Sequence, residues 1–147
     1  MNHYNTIITE LSTQHKIKIE KTFDDDEGRA NIKDRIIYIP KRIKSFYSFM
    51  IALHEIGHIV TGKQKYIFYG EYLAERYAID IAQQYNINPK SYFDNAKYYI
   101  SCKLQHAWNN GLKLKHIPLE VELFALLDIE SYIEQYGQNF KFKFNLS

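Results

Sequence analysis

The chain has 147 residues, the length of one domain, and a single unit over 1–147 is expected. Its 46% hydrophobic and 24% charged residues are an ordinary globular balance with enough apolar mass for a core. A formal net charge of +2 gives no electrostatic basis for gripping nucleic acid or an anionic membrane, and no apolar run approaches the roughly 18 residues a membrane span needs.

Residues 3–14 carry a weak helical pattern, with Ile7, Ile8 and Leu11 on one side. Ile17 and Ile19 then alternate with Lys16, Lys18 and Glu20, as in a half-buried strand. Asp24-Asp25-Asp26-Glu27, followed by Gly28, reads as a solvated turn, because a calcium loop needs ligands at alternating positions and a distal glutamate. From Ala30 to Ile39 the pattern is a hairpin: Ile32 and Ile36-Ile37-Tyr38-Ile39 flank the polar break Lys33-Asp34-Arg35, and Pro40 ends it. Ser45 is placed to cap a helix over 45–61, whose Phe46, Phe49, Met50, Leu53 and Val60 cover so much of its surface that it must be buried. Gly62 suits the position just past its end.

A loop over 61–69 leads to Gly70 and a helix over 71–85. Leu73, Tyr77, Ile81 and Tyr85 form one stripe, and Ala74, Ala78 and Ala82 beside it let another helix come close. After the break at Asn86 to Pro89, a long helix over 91–108 ends at Asn109-Asn110-Gly111, with Trp108 as a core anchor. A further helix over 118–136 stops at Gly137, and Phe140-Lys141-Phe142-Lys143-Phe144 alternates as a short terminal strand. The expected class is α+β: a small antiparallel sheet, then helices.

The chemistry is concentrated in His54-Glu55-Ile56-Gly57-His58. Two histidines four apart on a helix point the same way, one turn apart, so both imidazoles can reach one metal ion. Glu55 is then placed to hold the attacking water and take its proton. A bare H-E-x-x-H is a weak signal. In the middle of an apolar helix it is stronger, because burying two imidazoles and a carboxylate without partners is costly and a metal removes that cost. A catalytic zinc site takes three protein ligands and keeps one position open. The 71–85 segment offers Glu71, Glu75 and Asp80 as the third. Glu71 and Glu75 share a face, so one can bind metal while the other accepts the N–H of a ligating histidine; Asp80 lies well round the helix. Glycine costs about 1 kcal/mol in a helix relative to alanine, so Gly57 implies that another element presses close there. His3, His15, His106 and His116 stand alone and read as surface or core-edge residues, and Cys102 as a small buried one.

The motif, followed by Glu71-Tyr72-Leu73-Ala74-Glu75-Arg76-Tyr77-Ala78, resembles the ImmA/IrrE family of bacterial and phage metallopeptidases over about residues 15–85. The resemblance implies Zn2+ held by His54, His58 and Glu71, with Glu75 behind them and Glu55 as general base. It also implies that Ile36-Ile37-Tyr38-Ile39 is an edge strand packed on the active-site helix, with Ile37, Tyr38 and Ile39 pairing with substrate backbone. The family's apolar-Pro ending after the glutamate helix is replaced here by Gln83-Gln84-Tyr85-Asn86-Ile87-Asn88-Pro89.

The expected function is a zinc metallopeptidase that cleaves one protein substrate. By resemblance that substrate is a transcriptional repressor of a phage or mobile element, with a helix-turn-helix domain on a separate chain. The competing class is a zinc-containing module, antirepressor or toxin that works by contact alone; Glu55 argues against it, since a scaffold has no use for a carboxylate beside the metal. One cysteine excludes an intrachain disulfide, and Met1-Asn2-His3-Tyr4-Asn5 lacks the charged and apolar regions of a secretion signal, so a cytoplasmic location is expected.

Overall fold

The structure, a computed structural model, describes residues 3–22 and 27–125. Helix α1 (His3–Gln14) buries Ile7, Ile8 and Leu11, the expected stripe. Strands β1 (Lys18–Thr22), β2 (Arg29–Asn31) and β3 (Ile36–Pro40) form one sheet in the order β1-β3-β2. Helices α2 (Phe46–Thr61), α3 (Ile67–Gln84), α4 (Lys90–Asn109) and α5 (Leu119–Ala125) follow, with a 3₁₀ turn at Leu114–His116. The architecture is α+β, and no described helix is long and apolar enough to cross a membrane.

The expected hairpin is present. β2 runs antiparallel to β3, pairing Ala30 with Ile37. Its turn is held by Asn31, whose amide nitrogen donates to Asp34 Oδ2 at 3.0 Å while its Oδ1 accepts from the Asp34 backbone N–H at 3.0 Å. Arg35 closes the turn with φ 56°.

Two expectations about the sheet are corrected. It is mixed, because β1 runs parallel to β3, Lys18 beside Ile36 through Thr22 beside Pro40. Alternating polarity reports which face of a strand is buried, not which way its neighbour runs. Secondly, β3 is the central strand and not an edge. Ile37 and Ile39 are fully buried, and Tyr38 faces the other way under the Arg29 guanidinium, 4.8 Å from its ring centre. Ile37 and Tyr38 have strand partners on both sides, and Ile39 is paired with Lys21 of β1 and fully buried, so β3 is not a free edge for a substrate strand. Among the described residues, the edges of the sheet are β1 and β2.

α2 starts and stops where its caps require. Ser45 Oγ accepts from the Ser48 N–H, and Ser48 Oγ accepts from the Ser45 N–H, both at 3.1 Å. Gly62, at φ 79°, donates its N–H to His58 O. α3 begins a turn earlier than expected, with Gly70 inside its first turn. Its N-cap, Tyr66, makes no side-chain capping bond, so no residue type announces the start. Asn86 ends the helix with a left-handed φ of 59°. α4 lies within a residue of expectation at each end, and Trp108 on it is buried as expected. The run of α5 to residue 136, the stop at Gly137 and the terminal strand over 140–144 lie outside the described residues, as does most of the acidic turn at 24–28.

α2 and α3 meet where both are small. A Cβ built on Gly57 would lie 3.0 Å from both Cα and O of Ala74 and 3.1 Å from Tyr77 Cβ. Backbone cannot move aside as a flexible side chain can. Gly57→Ala is therefore expected to destabilise the fold by about 1–3 kcal/mol, against the helix-propensity gain of roughly 1 kcal/mol. Urea unfolding of the metal-free protein measures the net sign; a more stable variant would show that the contact yields.

Candidate metal centre

The Gly57–Ala74 contact sets the geometry of the site. His54 and His58 bracket Gly57 on α2, and Glu71 and Glu75 bracket Ala74 on α3, so a close helix crossing brings all four together. Glu71 Oε2 lies 2.9 Å from His54 Nε2 and 3.1 Å from His58 Nε2, and the two Nε2 atoms lie 3.1 Å apart. On the far side of the His54 ring, Nδ1 is 2.6 Å from Glu75 Oε1. That contact is short but poorly aligned for a hydrogen bond, since Nδ1 has no partner by hydrogen-bond geometry.

These three groups can hold a metal ion. Donors about 2.1 Å from a tetrahedrally coordinated ion stand roughly 3.4 Å apart, and the observed separations of 2.9–3.1 Å are a few tenths short of that. The chemistry of the set agrees: two imidazole nitrogens facing each other and one carboxylate oxygen have more lone pairs than protons at the point they share. The structure thus places Glu71 on the shared point and Glu75 behind it, against the nitrogen of His54 that faces away. Asp80 is exposed and pairs with Arg76 at 3.2 Å, far from this role.

Burial and charge oppose each other here. Burial alone lowers the basicity of His54, but the carboxylates of Glu71 and Glu75 outweigh it and push its pKa up to about 10. Burial likewise raises Glu71, yet its contacts with His54 and His58 hold it well below the usual carboxylate range. Glu55, only 7% exposed, is raised by burial, lowered by the two imidazoles, and raised again by Glu71 and Glu75, with a net upward shift.

A proton consequence follows. In the metal-free protein His54 is charged at neutral pH, and a ligating imidazole must be neutral, so metal uptake expels that proton. The stabilising His54–carboxylate contact is fully present below His54's unfolded pKa near 6.5 and fades as pH rises towards about 10. Metal affinity is therefore expected to climb with pH across that window, by up to about tenfold per unit. Calorimetric titration in two buffers of different ionisation enthalpy should show about one proton released from His54 at pH 7.5; no buffer dependence would refute the charged state.

One side of the cluster opens on a cleft of about 540 Å³, within the usual range for a ligand site. Gly28, Ile51, His54 and Glu55 form one wall, and Tyr92, Asn95 and Tyr99 of α4 form the other. Gly28 packs on the stem of Glu55: a Cβ built there would lie 2.8 Å from Glu55 Cγ and 2.7 Å from Ile51 Cγ2. Sequence reasoning missed Gly28 and the α4 wall. The spacing of Tyr92, Asn95 and Tyr99 does mark one helix face, but no local signal says that this face closes over the metal residues. Of the lone histidines, His106 is exposed and His116 lies tilted against the Tyr66 ring, centres 5.7 Å apart, and neither lines the cleft. Cys102 is half-buried. No family model matches the chain, and no curated protein or solved structure matches it either.

Proposed function

We propose that the chain is a zinc-dependent peptidase of the ImmA/IrrE type, acting on a protein substrate. The observation that carries this reading is the meeting of His54 Nε2, His58 Nε2 and Glu71 Oε2 at one point, with buried Glu55 beside it on the wall of the cleft. Two imidazoles and one carboxylate, with one side open, are a donor set suited to catalytic zinc. Zinc bound there supplies Lewis acidity, acidifying water and polarising a carbonyl. Glu55 takes the proton of the attacking water and later hands it to the leaving amine. Glu75 holds the His54 ring in orientation through Nδ1.

In this reading β2, in place of β3, seats the substrate backbone. Its outer edge is unpaired among the described residues, and Gly28 immediately before it lies against Glu55. The family resemblance makes a repressor of a phage or mobile element the proposed substrate, and the cytoplasm the proposed location. The test is hydrolysis of a proteome-derived peptide library by the zinc-loaded chain, followed by mass spectrometry. Cleavage that vanishes on chelation and returns with zinc supports the proposal; an intact library with one zinc bound favours a module acting by contact alone.

A further inference from the structure

Peptide hydrolysis needs a group to receive the charge that develops on the carbonyl oxygen, and the residues already placed leave that role open. Five side chains on the cleft wall can donate a hydrogen bond: Tyr47, Tyr92, Asn95, Tyr98 and Tyr99. Tyr92 is 7% exposed, and its hydroxyl is directed at the Glu75 carboxylate. Tyr98 pairs with Cys102, away from the cluster. Tyr47 and Asn95 have no described contact with the metal residues. Tyr99 differs from all four. Its ring meets His54 edge-on, with centres 6.1 Å apart and planes at 77°. Its hydroxyl lies close to Glu71, the residue lines the cleft, and it is 37% exposed. Lys103, one turn on, sets its ammonium 5.2 Å from the centre of the same ring. The cation over its face and the His54 ring edge together pin the ring in place.

The geometry points to Tyr99 as the hydrogen-bond donor to the substrate carbonyl oxygen as it becomes an oxyanion, an assignment that rests on the peptidase reading above. As water oxygen bonds to the carbonyl carbon, the carbonyl electron pair moves onto oxygen. Tyr99 turns its O–H from Glu71 to that oxygen and keeps its proton throughout. The water proton goes to Glu55 and then to the amine, whose C–N bond breaks as the carbonyl re-forms. With the ring already held in place, only the O–H rotates at the moment of reaction, so little reorganisation is needed and one such bond counts for much.

The test uses the full chain and Tyr99→Phe, which keeps the ring. Zinc content and the visible spectrum of the cobalt-substituted protein should be unchanged, since the hydroxyl does not hold the metal. On a library peptide that the wild type cleaves, kcat should fall about a hundredfold with KM within about twofold. On the cobalt protein, inorganic phosphate, a tetrahedral oxyanion, should bind at least about tenfold more weakly to the variant, while imidazole, which has no oxygen to receive the bond, should bind equally. Wild-type kcat, a change confined to KM, equal phosphate affinity in the two proteins, or loss of metal from the variant each overturns the assignment. A wild-type chain that holds no zinc or cleaves nothing instead overturns the peptidase reading, and this assignment with it.

Discussion

Glu55→Gln is expected to leave zinc bound and to slow hydrolysis by about a thousandfold, within the range a positioned general base supplies. Gln has the same shape, so the close packing of Gly28 on the residue-55 stem survives. It carries no charge, so burial at 7% exposure costs it less than it costs the carboxylate. What it lacks is a lone pair able to take a proton from water. Stability and metal content should therefore stay level while the rate collapses. The check is zinc by mass spectrometry beside cleavage of a library peptide. A variant that keeps its zinc and cuts at the wild-type rate would remove Glu55 from the reaction.

The second large effect separates two glutamates on one helix face. Glu71→Ala removes the only carboxylate oxygen, among the described residues, within 3.1 Å of both Nε2 atoms. Glu75→Ala removes a group that meets His54 on the side of the ring away from the shared point. Loss of such a supporting partner typically weakens metal binding roughly 10- to 100-fold, and loss of the ligand itself should cost more than that. After dialysis against a mild chelator, the Glu75 variant should retain partial zinc and the Glu71 variant almost none. The reverse order would exchange their roles. Glu75→Ala also leaves His54 buried without that carboxylate, so its raised basicity should drop, and the proton released on metal uptake should diminish with it.

The helix that carries the motif was readable because its signals are local. Ser45 and Gly62 sit at its two ends and do what their residue types allow, capping and reversing the backbone. The start of α3 was hidden because Tyr66 supplies no capping side chain, and Gly70, which looked like a boundary, fits inside the first turn. The close neighbour that Gly57 demanded is Ala74, on a helix already marked by its alanines. The misreading of β3 has a different source: an apolar Ile36-Ile37-Tyr38-Ile39 run says that the strand is buried, and a central strand satisfies that better than an edge.

By itself the amino-acid order determined that His54, Glu55 and His58 stand within one turn of a buried helix, because the 3.6-residue period is a property of the backbone alone. It narrowed the third donor to Glu71 or Glu75 and went no further on geometry, since spacing assigns a face and not a distance to another element. Only the tertiary structure decided that Glu71 reaches both imidazoles, that β2 rather than β3 forms the edge beside Glu55, and that Tyr99 on α4 overlooks the cluster. Those placements depend on how closely α2 and α3 cross, on strand order and on where α4 returns. Packing between residues distant in the chain sets all three, and no short window of residues contains it.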